Sequence, residues 1–186
     1  YFAFFFIASP IVVGVVAGLI YGDLTKGLII GGGIAAAFAG IIAPGVNLPT
    51  DAALAATTVI PIALATGLTA EQAIAFAVPM GLLGSFVTNL RKMINVIFVH
   101  RADEFAAKGN LSGITRCAVV YPPLIEIPLL FLPVFLIVMF GQDAMLTFMN
   151  SVPSWVMHGL EVAGGVMPAI GFALIMNMIG KPKIIP

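Results

Sequence analysis

The chain has 186 residues, 61% of them hydrophobic and 9% charged, and its eight basic and eight acidic side chains cancel to a net charge of zero. Soluble domains carry about 25% charged residues, so a soluble globular fold is excluded, and the neutral balance excludes the basic footprint of a nucleic-acid binder. The single cysteine, Cys117, excludes an internal disulfide.

The charges cluster and leave uncharged runs at 1–22, 27–50, 52–70, 72–90, 127–142, 144–160 and 162–180. A helix needs about 20 apolar residues to cross the hydrocarbon core. Four or five of the runs are long enough, and the remaining two are expected to share one interrupted span. The expected fold is an all-α polytopic membrane protein whose transmembrane helices include broken or re-entrant segments rich in glycine and proline. The run 1–22 has no basic leading region and no cleavage site, so no signal peptide is expected. The start at Tyr1 rather than Met, and the stop at Pro186 without a polar tail, read as a fragment or a partly ordered chain.

Tyr21–Lys26 turns the chain into the run 27–50, which holds Gly27, Gly31, Gly32, Gly33, Gly40 and Gly45 together with Pro44 and Pro49. Irregular backbone at membrane depth is tolerated only where protein buries it or where it lines a cavity. The glycines and prolines are therefore expected to shape a re-entrant hairpin. Pro49 places the break just before Thr50 and Asp51, and the helix-forming Ala52–Ala56 follows. Either Thr50 or Asp51 can be the N-cap of that helix. An acid in such a position is also a functional candidate. Asn47, Thr50 and Asp51 present donors and acceptors in fixed directions, which suits the hydroxyls of a sugar; an ion-coupling role is the other functional reading.

Thr69-Ala-Glu-Gln72 has the pattern of a capping box. Asp23, Glu71 and Asp143 read as caps and turns, with Asp143 opening a helix. The hydrophilic stretch 91–116 holds Arg91, Lys92, Arg101, Lys108 and Arg116, five of the eight basic residues, and is assigned to the cytoplasm. Within it Ile94, Ile97, Phe98 and Phe105 recur at helical spacing, which predicts an amphipathic helix stopped at Gly109-Asn110. That helix either orders the two halves of the chain or offers a docking surface to a cytoplasmic partner. Glu126 lies among Pro122, Pro123 and Pro128, which predict a kinked helix, and its expected partner is Arg116 or a second subunit.

A second broken segment is expected at His158–Pro168, around Gly164-Gly165. Two interrupted apolar segments in different halves point to a transporter's binding site. His158 and Glu161 stand i, i+3 and share a helix face, where Glu161 needs a partner or a cavity. No metal site is expected, because the only other histidine, His100, lies in the hydrophilic stretch. No cofactor is expected either, and the chain carries no catalytic nucleophile arrangement of its own.

Three blocks, Gly22–Gly32, Pro49–Ala55 and Trp155–Gly165 running on to Pro168–Phe172, together with Ala102-Asp103 and Gly109-Asn110-Leu111, resemble the IIC permease subunit of the mannose–fructose–sorbose class of bacterial sugar phosphotransferase systems. The resemblance covers nearly the whole chain, so 1–186 is read as a single transmembrane IIC domain cut short at both ends. It implies a multi-pass subunit of the bacterial cytoplasmic (inner) membrane that pairs with a IID membrane subunit. A hexose-type sugar of the mannose, sorbose or amino-sugar class would be phosphorylated by a cytoplasmic IIB (or IIAB) protein carrying a phosphohistidine. A homo-oligomer of the complex is also expected. Asp51 falls on an acidic position of the family's second block. Where many relatives carry a glutamate after Gly-Gly, this chain has Ala35. The substrate-binding candidates are Asn47, Thr50, Asp51, His158 and Glu161. Two other functions compete: a proton-coupled secondary transporter, and a non-catalytic scaffold subunit of a membrane complex.

Overall fold

The computed structural model describes residues 9–40 and 50–179, so Asn47 and the prolines Pro44 and Pro49 lie outside the described residues. The described chain is built from helices: α1 (Pro10–Tyr21), α2 (Leu24–Ala39), α3 (Ala52–Thr66), α4 (Ala70–Ala107), α5 (Leu111–Thr115), α6 (Tyr121–Ser151) and α7 (Ser154–Ile179). A π-turn over Arg116–Val120 joins α5 to α6. The Tyr121 N–H bonds back to the Arg116 carbonyl, and the widened turn precedes Pro122 and Pro123, which have no N–H to continue the ladder.

Three helices, over Ala70–Ala107, Leu111–Ser151 and Ser154–Asn177, are long and apolar enough to cross a membrane. The other three apolar helices, α1, α2 and α3, have 12, 16 and 15 residues. At 1.5 Å per residue they reach only about 18–24 Å, short of a hydrocarbon core of about 30 Å. This is the interrupted all-helical architecture expected from the sequence; the expected hairpin falls partly on residues 41–49, outside the described residues, but the glycine clusters themselves do not break their helices. Gly27, Gly31, Gly32 and Gly33 sit inside the unbroken α2, and Gly164-Gly165 inside the unbroken α7.

The glycines serve close approach instead. Gly14 and Gly18 of α1 face Gly27 and Gly31 of α2, and a Cβ on any of the four would strike the opposite backbone. With no side chains between them the two helices pack almost backbone to backbone, as small residues allow in membrane interiors. Among the described residues the breaks are turns. Gly22 and Gly67 both adopt φ 77°, Asp23 caps α2 through the Lys26 N–H, and Thr69 caps α4.

The core lies where α2, α3 and the first third of α4 meet, around the fully buried Ile30, Ile34, Ile60 and Leu68. Helix α7 packs against α4 and α2, and α6 crosses α3. Gly141 admits Ile62 of α3 at that crossing, since a Cβ there would come within 2.8 Å of the Ile62 Cδ1. That use of Gly141 corrects the expectation for Asp143, which lies within α6 and opens no helix.

The hydrophilic stretch 91–116 does not form a helix of its own. Residues 91–107 continue α4, which runs 38 residues to the stop at Gly109 (φ 63°), and Asn110 caps α5 through the Gly113 N–H. The two arms return on each other with Phe98 against Tyr121, ring centroids 5.8 Å apart, and Phe105 against Gly113.

Candidate functional site

Asp51 is the N-cap of α3, and its Oδ1 accepts from the Leu54 N–H at 3.0 Å. Its Oδ2 accepts from the Thr88 hydroxyl of α4 at 2.6 Å, and its own N–H donates to the Gly81 carbonyl at 2.9 Å. The acid therefore ties the start of α3 to the middle of α4. Gly84 makes this possible, because a Cβ there would lie 2.9 Å from the Cβ atoms of Asp51 and Leu54. Among the described residues each carboxylate oxygen accepts one hydrogen bond, and such an oxygen has two lone pairs.

Next to it, the Thr50 hydroxyl is buried and has no hydrogen-bond partner among the described residues. Leaving a buried hydroxyl unpaired costs about 1–3 kcal/mol. A group that both donates and accepts beside an ionisable carboxylate is the chemistry that binds a polyol. Thr88, 3% exposed, belongs to this cluster although sequence reasoning did not select it. Its signal was present: a hydroxyl inside the apolar run 72–90, three residues before Arg91.

His158 and Glu161 do share a face of α7, with His158 Nδ1 3.5 Å from Glu161 Oε2. Glu161 also accepts from the Gln72 amide at 3.0 Å. Gln72 belongs to the capping box of α4, since its Oε1 takes the Thr69 N–H and its own N–H donates to the Thr69 hydroxyl. Glu161 thus anchors α7 to the first turn of α4. Thr69→Ala is expected to lower the unfolding free energy by about 1 kcal/mol. Gln72→Leu, which also strips the partner of Glu161, is expected to lower it by about 2 kcal/mol, and a thermal-shift comparison of the two variants checks that order.

The candidate residues do not converge among the described residues. Gln72 and Thr88 stand sixteen positions apart on one helix, about 24 Å of rise. The Thr50–Asp51 cluster and the His158–Glu161 pair are separate places.

Glu126 does not take Arg116, one of its two expected partners. Arg116 sits ten residues away on the same continuous rod, about 15 Å along its axis, too far to reach. The antiparallel α4 supplies the contacts instead: the Asn95 amide donates to Glu126 Oε1 at 2.7 Å, and Arg91 Nη1 stands 4.0 Å from Oε2.

Residues 1–186 match the family model described as the sorbose-specific IIC component of the PTS system. The N-acetylgalactosamine permease IIC component 1 of Escherichia coli (strain K12) is 33% identical over 97% of this chain and 67% of its own length. The fructose permease IIC component of Bacillus subtilis (strain 168) is 30% identical over 95% of this chain and 65% of its own. The mannose-specific EIIC component of Escherichia coli (strain K12) is 29% identical over 95% and 66%. This chain thus spans about two thirds of the length of these relatives.

Among solved structures, one described as a membrane protein superposes with a TM-score of 0.81 at 28% identity, over 95% of this chain and 71% of the other. The mannose transporter ManYZ, in complex with microcin E492, gives a TM-score of 0.65 at 28% identity, over 96% and 72%.

Proposed function

The chain belongs to the family of sorbose-specific IIC components of the phosphotransferase system, and on that premise we propose that it is the permease subunit of a sugar-translocating complex in the bacterial inner membrane. The sugar is a hexose or amino-hexose, the subunit assembles with a IID membrane partner, and a cytoplasmic IIB protein phosphorylates the sugar. The observation that carries the reading is the set of Thr50, Asp51 and Thr88 within an apolar bundle, where a buried hydroxyl with no partner among the described residues is next in sequence to a carboxylate that takes the Thr88 hydroxyl. Relatives that span nearly all of this chain are permease components for N-acetylgalactosamine, fructose and mannose, which supports the substrate class.

Energy source separates this reading from a proton-coupled transporter. Cells that keep their phosphoenolpyruvate supply are expected to continue accumulating sugar phosphate after an uncoupler collapses the proton gradient. Loss of accumulation under that supply would favour proton coupling instead. The sugar itself is found by heating the assembled complex with mannose, fructose, sorbose or N-acetylgalactosamine, since a ligand that binds the native state raises its apparent melting point.

A further inference from the structure

Thr88, Arg91 and Asn95 of α4 fall at i, i+3 and i+7 and so lie on one face of the helix. The face begins at the Asp51 carboxylate, held by Thr88, and ends at the Glu126 carboxylate of α6, held by Asn95. Thr88 to Asn95 is about 10 Å of helix rise. Two acids and three polar side chains therefore form a line between the sugar cluster and the charged end of α4.

Phe86 and Leu90 are exposed on one side of Arg91, and Met93, Val96 and Ile97 on the other. On α6, Leu124, Ile127 and Phe131 are exposed around Glu126. The polar groups are thus flanked by exposed apolar side chains on both helices, at the point where the apolar part of α4 passes into its charged end.

The second cluster also has bonding capacity to spare. Arg91 stands 4.0 Å from Glu126, beyond hydrogen-bond distance. Its guanidinium has five N–H donors, and none has a hydrogen-bond acceptor among the described residues. The Asn95 carbonyl oxygen and the remaining lone pairs of Glu126 face no donor among the described residues beyond those named. Opposite charges cancel here, so the cluster suits a neutral ligand with several hydroxyls rather than an anion.

We infer that Arg91, Asn95 and Glu126 form a second, inner subsite for a neutral polyhydroxylated solute, through which the sugar passes after leaving the Thr50–Asp51 cluster. The inference rests on the permease reading. Binding at the first cluster sets affinity, and the inner subsite lowers the barrier to passage. Removing it slows transport without weakening capture.

The test uses the assembled complex with mannose, fructose, sorbose and N-acetylgalactosamine, each measured for equilibrium binding and for initial uptake rate. Asn95→Leu is expected to leave Kd within about two-fold and to reduce uptake about ten-fold, the split expected for a barrier rather than a binding residue. Arg91→Met removes the guanidinium while sparing the Asn95–Glu126 bond. It is expected to slow uptake similarly at unchanged Kd, and it serves in its own right if Asn95→Leu does not assemble. Unchanged uptake in Arg91→Met, or Kd and uptake falling together, would overturn the inference. A wild-type complex that binds none of the four sugars would instead count against the permease reading itself.

Discussion

Replacing Asp51 with alanine is expected to abolish sugar binding and to loosen the bundle at once, while Asp51→Asn separates the two effects. Alanine removes the cap of α3 and leaves the Thr88 hydroxyl buried without its acceptor. Losing a cap costs about 1 kcal/mol and stranding a buried hydroxyl about 1–3 kcal/mol, so the bundle should lose about 2–4 kcal/mol. Asparagine caps a helix as well as aspartate does. Its amide can still meet the Leu54 N–H, and the Thr88 hydroxyl can turn to accept from Nδ2. Stability should therefore change by less than about 1 kcal/mol. The sugar loses a charged acceptor, and charge-assisted hydrogen bonds are about twice as strong as neutral ones, so affinity should fall about ten- to hundred-fold. Calorimetric titration of both variants, alongside their melting points, reads the two effects independently. Unchanged sugar affinity in a fully assembled Asp51→Asn complex would leave Asp51 a structural cap and favour a scaffold subunit.

The cap itself was legible because it depends on local order: Pro49, then Thr50-Asp51, then a run of alanines. The same is true of the Thr69–Gln72 box and of the stop at Gly109-Asn110. What the sequence hid were contacts between helices. Thr88 is a single hydroxyl in an apolar run, and only the packing of α3 on α4 through Gly84 brings it to Asp51. Of the two partners the sequence suggests for Glu126, Arg116 is out of reach, because antiparallel return along α4 brings Arg91 and Asn95 to it and a linear reading cannot see that return. Glycine misled in a consistent way. In water, clustered glycines usually mark a loop, but between membrane helices they mark a backbone-to-backbone seam. Gly27, Gly31 and Gly164 all proved to be seams within continuous helices. Among the described residues, helices end at Gly22, Gly67 and Gly109, where a positive φ needs a residue without a Cβ.

Gly164→Ala is expected to unseat α7, whereas the same change at its neighbour Gly165 should be tolerated. A Cβ on Gly164 would drive into the backbone of Glu71, whose carbonyl oxygen, carbonyl carbon and Cα all lie in its path. Backbone at the start of a capped helix cannot turn aside as a side chain can, so relief requires α7 to move away from α4. Overpacking of a fitted contact costs about 1–3 kcal/mol or more, and two backbones in opposition place this case at the upper end. A Cβ on Gly165 meets nothing nearer than the Glu71 Cγ at 3.8 Å, an ordinary contact. There alanine should stabilise the helix by up to about 1 kcal/mol through its higher propensity. The displacement caused by Gly164→Ala would also pull Glu161 from Gln72, now 3.0 Å apart. Combining Gly164→Ala with Gln72→Leu should therefore cost less than the two changes summed, because both break the same bond. Melting points of the two single variants, the double variant and Gly165→Ala test the whole chain of argument. Equal tolerance at Gly164 and Gly165 would mean that α7 does not rest on the first turn of α4, and Glu161 would then be released from its structural role to serve as a ligand.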